Sequence, residues 1–260
     1  MPADFLHLAL IQTSLYWENP DENLTSLSQK IDALPEQLQL IVLPEMFSSG
    51  FTMNPGVVAE TMHGKSVVWM RETAIKKQVA LVGSLVIEED KQYFNRLIFA
   101  HPDGKLETYD KRHLFTLAGE NKVYTSGEEH LIVEYNGWRI CPLVCYDLRF
   151  PVWSRNTENY DLLIYVANWP KPRIDAWDGL LKARAIENMC YTTGVNRVGF
   201  DGNHHEYSGH SAVYDALGSV VVAPQIDEEK VVTAVLDKKS LQSIREKLKF
   251  LEDRDMFNLK

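Results

Sequence analysis

The chain has 260 residues, 45% hydrophobic and 24% charged, with a formal net charge of −9. Such a composition buries a substantial core, and α/β folds of this length form one unit, so a single domain over residues 1–260 is expected. The acidic balance disfavours a nucleic-acid partner, and no apolar run approaches the roughly 20 residues that cross a bilayer, so no membrane association is expected.

In chain order, a strand is predicted at Leu6 to Ile11, then a helix at Glu22 to Leu34, where Leu24, Leu27, Ile31 and Leu34 recur at helical spacing behind Asp21 as a cap. A strand at Leu40 to Leu43 and a helix at Ser66 to Lys77 follow, then strands at Ala80 to Ile87 and Phe94 to Phe99. Further strands are predicted at Leu131 to Tyr135, Ile140 to Val144 and Leu162 to Val166, before a helix at Ala176 to Met189. The chain closes with strands at Val220 to Val222 and Val231 to Leu236 and a helix at Leu241 to Phe250. Hairpin signals at Asp103-Gly104, Asn136-Gly137 and Leu217-Gly218 add antiparallel neighbours to the crossovers, so the sheets of this α/β protein are expected to be mixed.

Cys141, Cys145 and Cys190 form an odd set without close-spaced pairs, which suggests neither a disulfide framework nor a zinc site. Met1 to His7 lacks the basic and apolar segments of a leader. A cytoplasmic protein is the expectation, with no metal.

Three chemically capable side chains stand at the ends of apolar segments, where a strand holds a group rigidly. Glu45 closes Leu40-Ile41-Val42-Leu43-Pro44-Glu45 among apolar neighbours, the setting of a general base; its plain alternative is a strand-end cap. Lys111, in Tyr109-Asp110-Lys111-Arg112-His113-Leu114-Phe115, is either a solvated loop residue or a fixed ammonium that stabilises charge on a carbonyl oxygen. Cys145 ends the apolar run Ile140 to Val144 and precedes Tyr146-Asp147-Leu148-Arg149-Phe150-Pro151, so a strand, a sharp turn and a helix entered at Pro151 would present the sulfur as a nucleophile. Its alternative is a buried structural thiol. Pro142 implies that this strand is an edge or starts late.

Cysteine enzymes commonly use a histidine base, but nothing pairs a particular histidine with Cys145. His204, His205 and His210 fall in or after a polar, Gly-containing stretch that reads as a loop rather than a metal site. His113 remains an orienting candidate. Arg149 and Arg173 are candidates to receive a substrate carboxylate, although Arg149 would equally serve an ion pair with Asp147 or Glu187. Phe47, Tyr146 and Trp169 would wall a small pocket, or simply be core.

Leu43-Pro44-Glu45, Tyr109 to Phe115 and Val144 to Pro151, in that order, together with Ala9 to Gln12, Ala167 to Pro170 and Ala183 to Asn188, resemble the nitrilase superfamily over nearly the whole chain. The resemblance implies a four-layer α-β-β-α sandwich with two mixed β-sheets, Glu45 as base, Lys111 as oxyanion stabiliser and Cys145 as nucleophile. It also implies a second active-site glutamate, which Glu120 matches better than Glu128 or Glu129. Within the superfamily the pattern looks most like the omega-amidase branch, which hydrolyses the terminal amide of 2-oxo dicarboxylic acid monoamides such as 2-oxoglutaramate. Implied with it are a small-molecule amide substrate, water, no cofactor and a homodimer. A nitrilase or N-carbamoyl hydrolase would use the same triad, a catalytically silent binding protein could share the fold, and a cysteine–histidine hydrolase of another fold is a further alternative.

Overall fold

The computed structural model describes residues 3–257 and residue 259; Met1 and Pro2, part of the chain start considered above, and Asn258 and Lys260, within the span expected to form one domain, lie outside them. The strands are β1 Phe5–Gln12, β2 Leu40–Val42, β3 Ala80–Glu89, β4 Gln92–Ala100, β5 Leu106–Asp110, β6 Val133–Tyr135, β7 Trp138–Val144, β8 Leu162–Ala167, β9 Tyr191–Asn196, β10 Val198–Phe200, β11 Glu206–Tyr214, β12 Val220–Ile226 and β13 Lys230–Asp237. The helices are α1 Pro20–Asp32, α2 Pro55–Val58, α3 Lys65–Lys77, α4 Ile174–Asn188 and α5 Lys238–Leu248.

Two mixed sheets result, one ordered β13-β1-β2-β3-β4-β5 and the other β10-β11-β9-β8-β7-β6 with β12 also on β11. In each, three parallel strands form the centre, β1-β2-β3 and β7-β8-β9, and antiparallel strands extend both sides. Strand β1 shows how sequence builds the layers, because its side chains alternate between faces. Leu6, Leu8 and Leu10 join the core shared with Ile140 and Leu143 of the second sheet, whereas Ala9 and Ile11 belong with Leu24, Leu27 and Ile31 of α1 and Val67, Met70 and Ala74 of α3. Each fully buried leucine of this kind contributes about 1.5–3 kcal/mol of burial. On the opposite side α4 buries Trp177, Leu181 and Ala185, and it approaches β9 so closely at Gly194 that a Cβ there would lie 2.5 Å from atoms of Leu181 and Trp177. The order of layers is therefore helix, sheet, sheet, helix, the expected α-β-β-α sandwich.

Local differences from the expectations have physical causes. Asn19, rather than Asp21, caps α1 by accepting the Glu22 N–H, with Pro20 supplying the first turn, and Asp21 instead pairs with Lys65. Strands β5, β9, β10 and β11 are absent from the sequence reading because Thr, Ser, Gly and Asn interrupt their apolar pattern. In β9, Tyr-Thr-Thr-Gly-Val-Asn is buried throughout, and Thr193 and Asn196 find backbone carbonyl partners there. Pro142 is tolerated because β6 pairs only with Trp138 to Ile140, leaving that side of β7 without a ladder farther on.

Candidate active site

The carboxyl ends of β2, β5, β7 and β8 deliver Glu45, Lys111, Cys145 and Asn168 to one region. The chain turns sharply at two of them: Met46, next to Glu45, has φ +43° and Cys145 has φ +44°. For residues with a Cβ such left-handed backbone is strained and persists only when the surroundings enforce it. Cys145 opens a short 3-10 turn ending at Arg149, and the helix expected from Pro151 onward does not form.

Lys111 is wholly buried, and its Nζ lies 2.9 Å from Glu45 Oε1, 3.0 Å from Glu120 Oε1 and 2.9 Å from Glu120 Oε2. Both glutamates are equally buried. Asn95 Nδ2 donates to Glu45 at 2.8 Å and to Glu120 at 3.2 Å, the Asn168 N–H donates to Glu45 Oε2 at 2.8 Å, and the Phe115 N–H donates to Glu120 Oε2 at 2.5 Å. Burial alone would push the Lys111 ammonium down, but Glu120 and Glu45 outweigh it and hold it above its ordinary value. Burial also raises Glu120, against the pull of Lys111.

Beside this cluster, Cys145 Sγ is 4.0 Å from the Asn168 carbonyl oxygen. Burial and the Glu45 carboxylate push its thiol well above its ordinary value, with Glu120 adding to the rise and Lys111 opposing it. The resting sulfur is therefore a thiol, and attack requires a base to remove its proton. The charged groups that act most strongly on it are Glu45, Lys111 and Glu120, not a histidine.

Cys145 lies in the wall of a cavity of about 300 Å³, at the small end of ligand sites. Tyr146, Arg149, Trp169 and Arg173 line it. Arg149 stacks over Trp169 at 4.8 Å and Arg173 over Phe115 at 5.0 Å; among the described residues neither forms an ion pair, so Arg149 does not bind Asp147 or Glu187. Phe47 is a correction. It points away from the cavity into the core between the first sheet and α3, 5.7 Å from Trp69 and against Gly83, because the left-handed turn at Met46 redirects the chain between Glu45 and Phe47. Glu128 and Glu129 are exposed, so of the three candidates for the second glutamate only Glu120 stands at the lysine, beside Glu45.

The histidines disperse. His113 Nδ1 and His210 Nδ1 each lie 2.8 Å from a carboxylate, of Asp147 and Asp178 respectively, while His205 lines the cavity 3.2 Å from Asp201. Among the described residues no group of three His, Cys, Asp or Glu side chains is placed to hold a metal. No helix among them is long and apolar enough to cross a membrane.

Sequence reasoning gives no role to Asn95, Asn168 or Phe51, and offers Asp147 only as an ion-pair partner of Arg149. Asn95 carries a signal, as an amide inside the apolar run of β4, and Asn168 another, as the first polar residue after the wholly buried β8. Phe51, whose ring is 5.1 Å from Lys111 Nζ, sits in a segment with no pattern to mark it.

A buried glutamate and lysine grouped with a cysteine in the wall of a small cavity, within a sandwich of two mixed sheets, fit the class of carbon–nitrogen hydrolases. The carbon-nitrogen hydrolase family model matches residues 7–246, and the chain belongs to that family. It is 43% identical to omega-amidase YafV of Yersinia enterocolitica, over 98% of both chains. It is 32% identical to 2-oxoglutaramate amidase of Bacillus subtilis, over 95% of this chain and 96% of that one. Among solved structures, a CN-hydrolase superfamily protein from Xanthomonas campestris with an arsenic adduct in its active site is 43% identical and superposes with a TM-score of 0.96, over 99% of this chain and 100% of that one.

Proposed function

We propose that the chain, as one domain, is an omega-amidase that releases ammonia from 2-oxoglutaramate or 2-oxosuccinamate through a Cys145 thioester, with Glu45, Lys111 and Glu120 completing the catalytic set. The observation that carries this reading is the buried Lys111 ammonium held within 3.0 Å of Glu45 and Glu120, with Cys145 in the cavity wall beside this cluster.

Glu45 takes the Cys145 proton as the sulfur attacks the amide carbon. Lys111 and the Tyr146 backbone N–H receive the charge that develops on the carbonyl oxygen. The carbon–nitrogen bond breaks as Glu45 passes the proton to the leaving nitrogen, and ammonia departs. Glu45 next removes a proton from water, hydroxide adds to the thioester, and the carboxylic acid leaves as the proton returns to the sulfur. Glu120 orients Lys111 through both of its oxygens.

Substrate selection rests on Arg149 and Arg173, whose guanidinium groups line the cavity without anionic partners among the described residues. In a protein of net charge −9 such groups suit a carboxylate at the end of the substrate remote from the amide. Tyr146 and Trp169 supply apolar wall. The homologues named as amidases favour this reading over a nitrilase, a carbamoyl hydrolase or a silent binding protein.

The same reading places the enzyme in the cytoplasm, where its three free cysteines would stay reduced, working without a cofactor and without nucleic-acid or membrane partners. It also makes the enzyme a homodimer. Exposed Ile186 of α4 packs at the β11–β12 turn beside exposed Leu217 and Val220, an apolar patch available to a second copy. Sedimentation equilibrium tests the dimer.

The deciding experiment measures ammonia release from 2-oxoglutaramate, 2-oxosuccinamate, glutamine, a nitrile and an N-carbamoyl amino acid. Turnover highest on the 2-oxo amides is expected. Preference for the nitrile or the carbamoyl compound would move the protein to another branch, and silence on all five would leave a binding protein.

A further inference from the structure

Cys145 and Lys111 arrive from different sheets, yet the proposed chemistry needs their separation held to a fraction of an ångström. Asp147 stands where the two chain segments are tied. It is wholly buried two residues after Cys145, and Tyr109 and His113 flank Lys111 two residues before and after it. Asp147 Oδ2 accepts the Tyr109 hydroxyl at 2.8 Å and the Val144 N–H at 3.0 Å. Oδ1 accepts the His113 backbone N–H at 2.9 Å and faces His113 Nδ1 at 2.8 Å, which makes Nδ1 the protonated ring nitrogen.

A carboxylate offers about four lone-pair sites, and all are taken, so Asp147 has no capacity left to act as a base. The Tyr109 oxygen is equally committed: it accepts the Arg112 N–H at 3.2 Å and the Trp153 indole N–H at 3.0 Å, so Asp147 is the partner left for its proton. Burial and the adjacent carboxylate push this phenol well above its ordinary value, which keeps it a donor. The tie ends on Val144, the residue before the left-handed Cys145. The His113 ring is itself clamped flat on Phe150, 3.6 Å away with 4° between planes.

We propose that Asp147, held by Tyr109 and His113, is a positioning residue that locks the strained Cys145 turn to the segment bearing Lys111 and so sets the distance between thiol and ammonium. This rests on the reading of Cys145 as nucleophile and Lys111 as oxyanion partner. It assigns the aspartate after the nucleophile, and the tyrosine and histidine around the lysine, to one device.

The test compares Tyr109→Phe, Asp147→Asn and, as control, Tyr135→Phe, whose hydroxyl donates to the Gln39 carbonyl at 2.9 Å outside this network. Steady-state kinetics on 2-oxoglutaramate, melting temperature and the rate of Cys145 alkylation by iodoacetamide are recorded. Tyr109→Phe keeps the ring and removes one donor from Oδ2, so kcat should fall roughly tenfold to a hundredfold while KM stays within about twofold, as for a misplaced but intact catalytic group. Asp147→Asn sets an amide N–H against donors and should lose more; if it does not fold, Tyr109→Phe carries the test. Tyr135→Phe should leave kcat and KM at wild-type values. A folded Tyr109→Phe enzyme with wild-type kcat overturns the proposal, as does an equal loss of kcat in Tyr135→Phe. If fully alkylated wild-type enzyme still turns over, the nucleophile itself is misassigned, an outcome separate from failure of the tether.

Discussion

Replacing Glu120 with glutamine should move turnover and thiol reactivity in opposite directions. Glu120 holds Lys111 through both oxygens at 3.0 and 2.9 Å and also accepts from Asn95 and Phe115. A glutamine amide turned either way sets an N–H against one of these donors, so Lys111 loses its aim while keeping Glu45. Loss of a preorganised oxyanion donor costs about a hundredfold to a thousandfold in kcat, or about 2.7–4 kcal/mol, and a comparable fall is expected for Glu120→Gln. The sulfur responds the other way. Glu120 is one of the charges that raise the Cys145 thiol, so removing it lowers that value and enlarges the thiolate fraction at any fixed pH below it. Iodoacetamide alkylation followed from pH 6 to 10 should therefore shift to lower pH in the variant. The chosen readouts are that profile and ammonia release from 2-oxoglutaramate. Unchanged turnover would refute the orienting role, and a fall in both turnover and alkylation would refute the electrostatic account of the thiol.

Lys111→Met should abolish measurable turnover and, by stranding two buried carboxylates, destabilise the fold by about 3–5 kcal/mol in a denaturant titration. Arg149→Met and Arg173→Met should each raise KM for 2-oxoglutaramate about tenfold or more, the worth of a charge-assisted contact, while leaving turnover of an uncharged amide unchanged. Phe47→Ala should cost about 3–5 kcal/mol of stability, seen by denaturation, with kcat retained in the folded fraction, because its ring fills the core rather than the cavity. Buried thiols contribute to the alkaline limb: burial raises Cys190 from 9.0 to about 12, so its contribution is complete below pH 9 and lost as pH climbs toward 12. Melting temperature should fall across that window, and less steeply in Cys190→Ala.

The strands that carry Glu45 and Cys145 were legible because the run before each is continuously apolar, the mark of a strand buried on both faces. Strand β5, which leads into Lys111, shows no strand pattern because only Tyr109 of Leu106-Glu-Thr-Tyr-Asp110 is buried, and the lysine is marked by its motif instead. The polar ligands of the site were less legible for a related reason. Asn95 and Asn168 act by accepting a place in the core that hydrophobic pattern assigns to something else, and only the partner each finds explains it. Phe47 and Phe51 are four residues apart and chemically identical, yet one packs under Gly83 and the other faces Lys111. Which does which depends on the turn at Met46, whose left-handed backbone no residue type in that stretch announces.

The charge balance of the site explains why a carboxylate, rather than a histidine, suits this chemistry. Around the sulfur stand two glutamates and one lysine, and their net effect together with burial keeps the thiol protonated. A cysteine paired with an imidazolium would be a standing thiolate, reactive toward any electrophile that enters the cavity. In the proposed mechanism the nucleophile exists only while Glu45 holds the Cys145 proton. That state gains from a substrate carbonyl placed against Lys111, since the negative charge then moves from sulfur to an oxygen beside the ammonium. On that mechanism the selectivity of the reaction begins before the carbon–nitrogen bond is touched, in the requirement that the carbonyl be seated before the thiol is worth deprotonating.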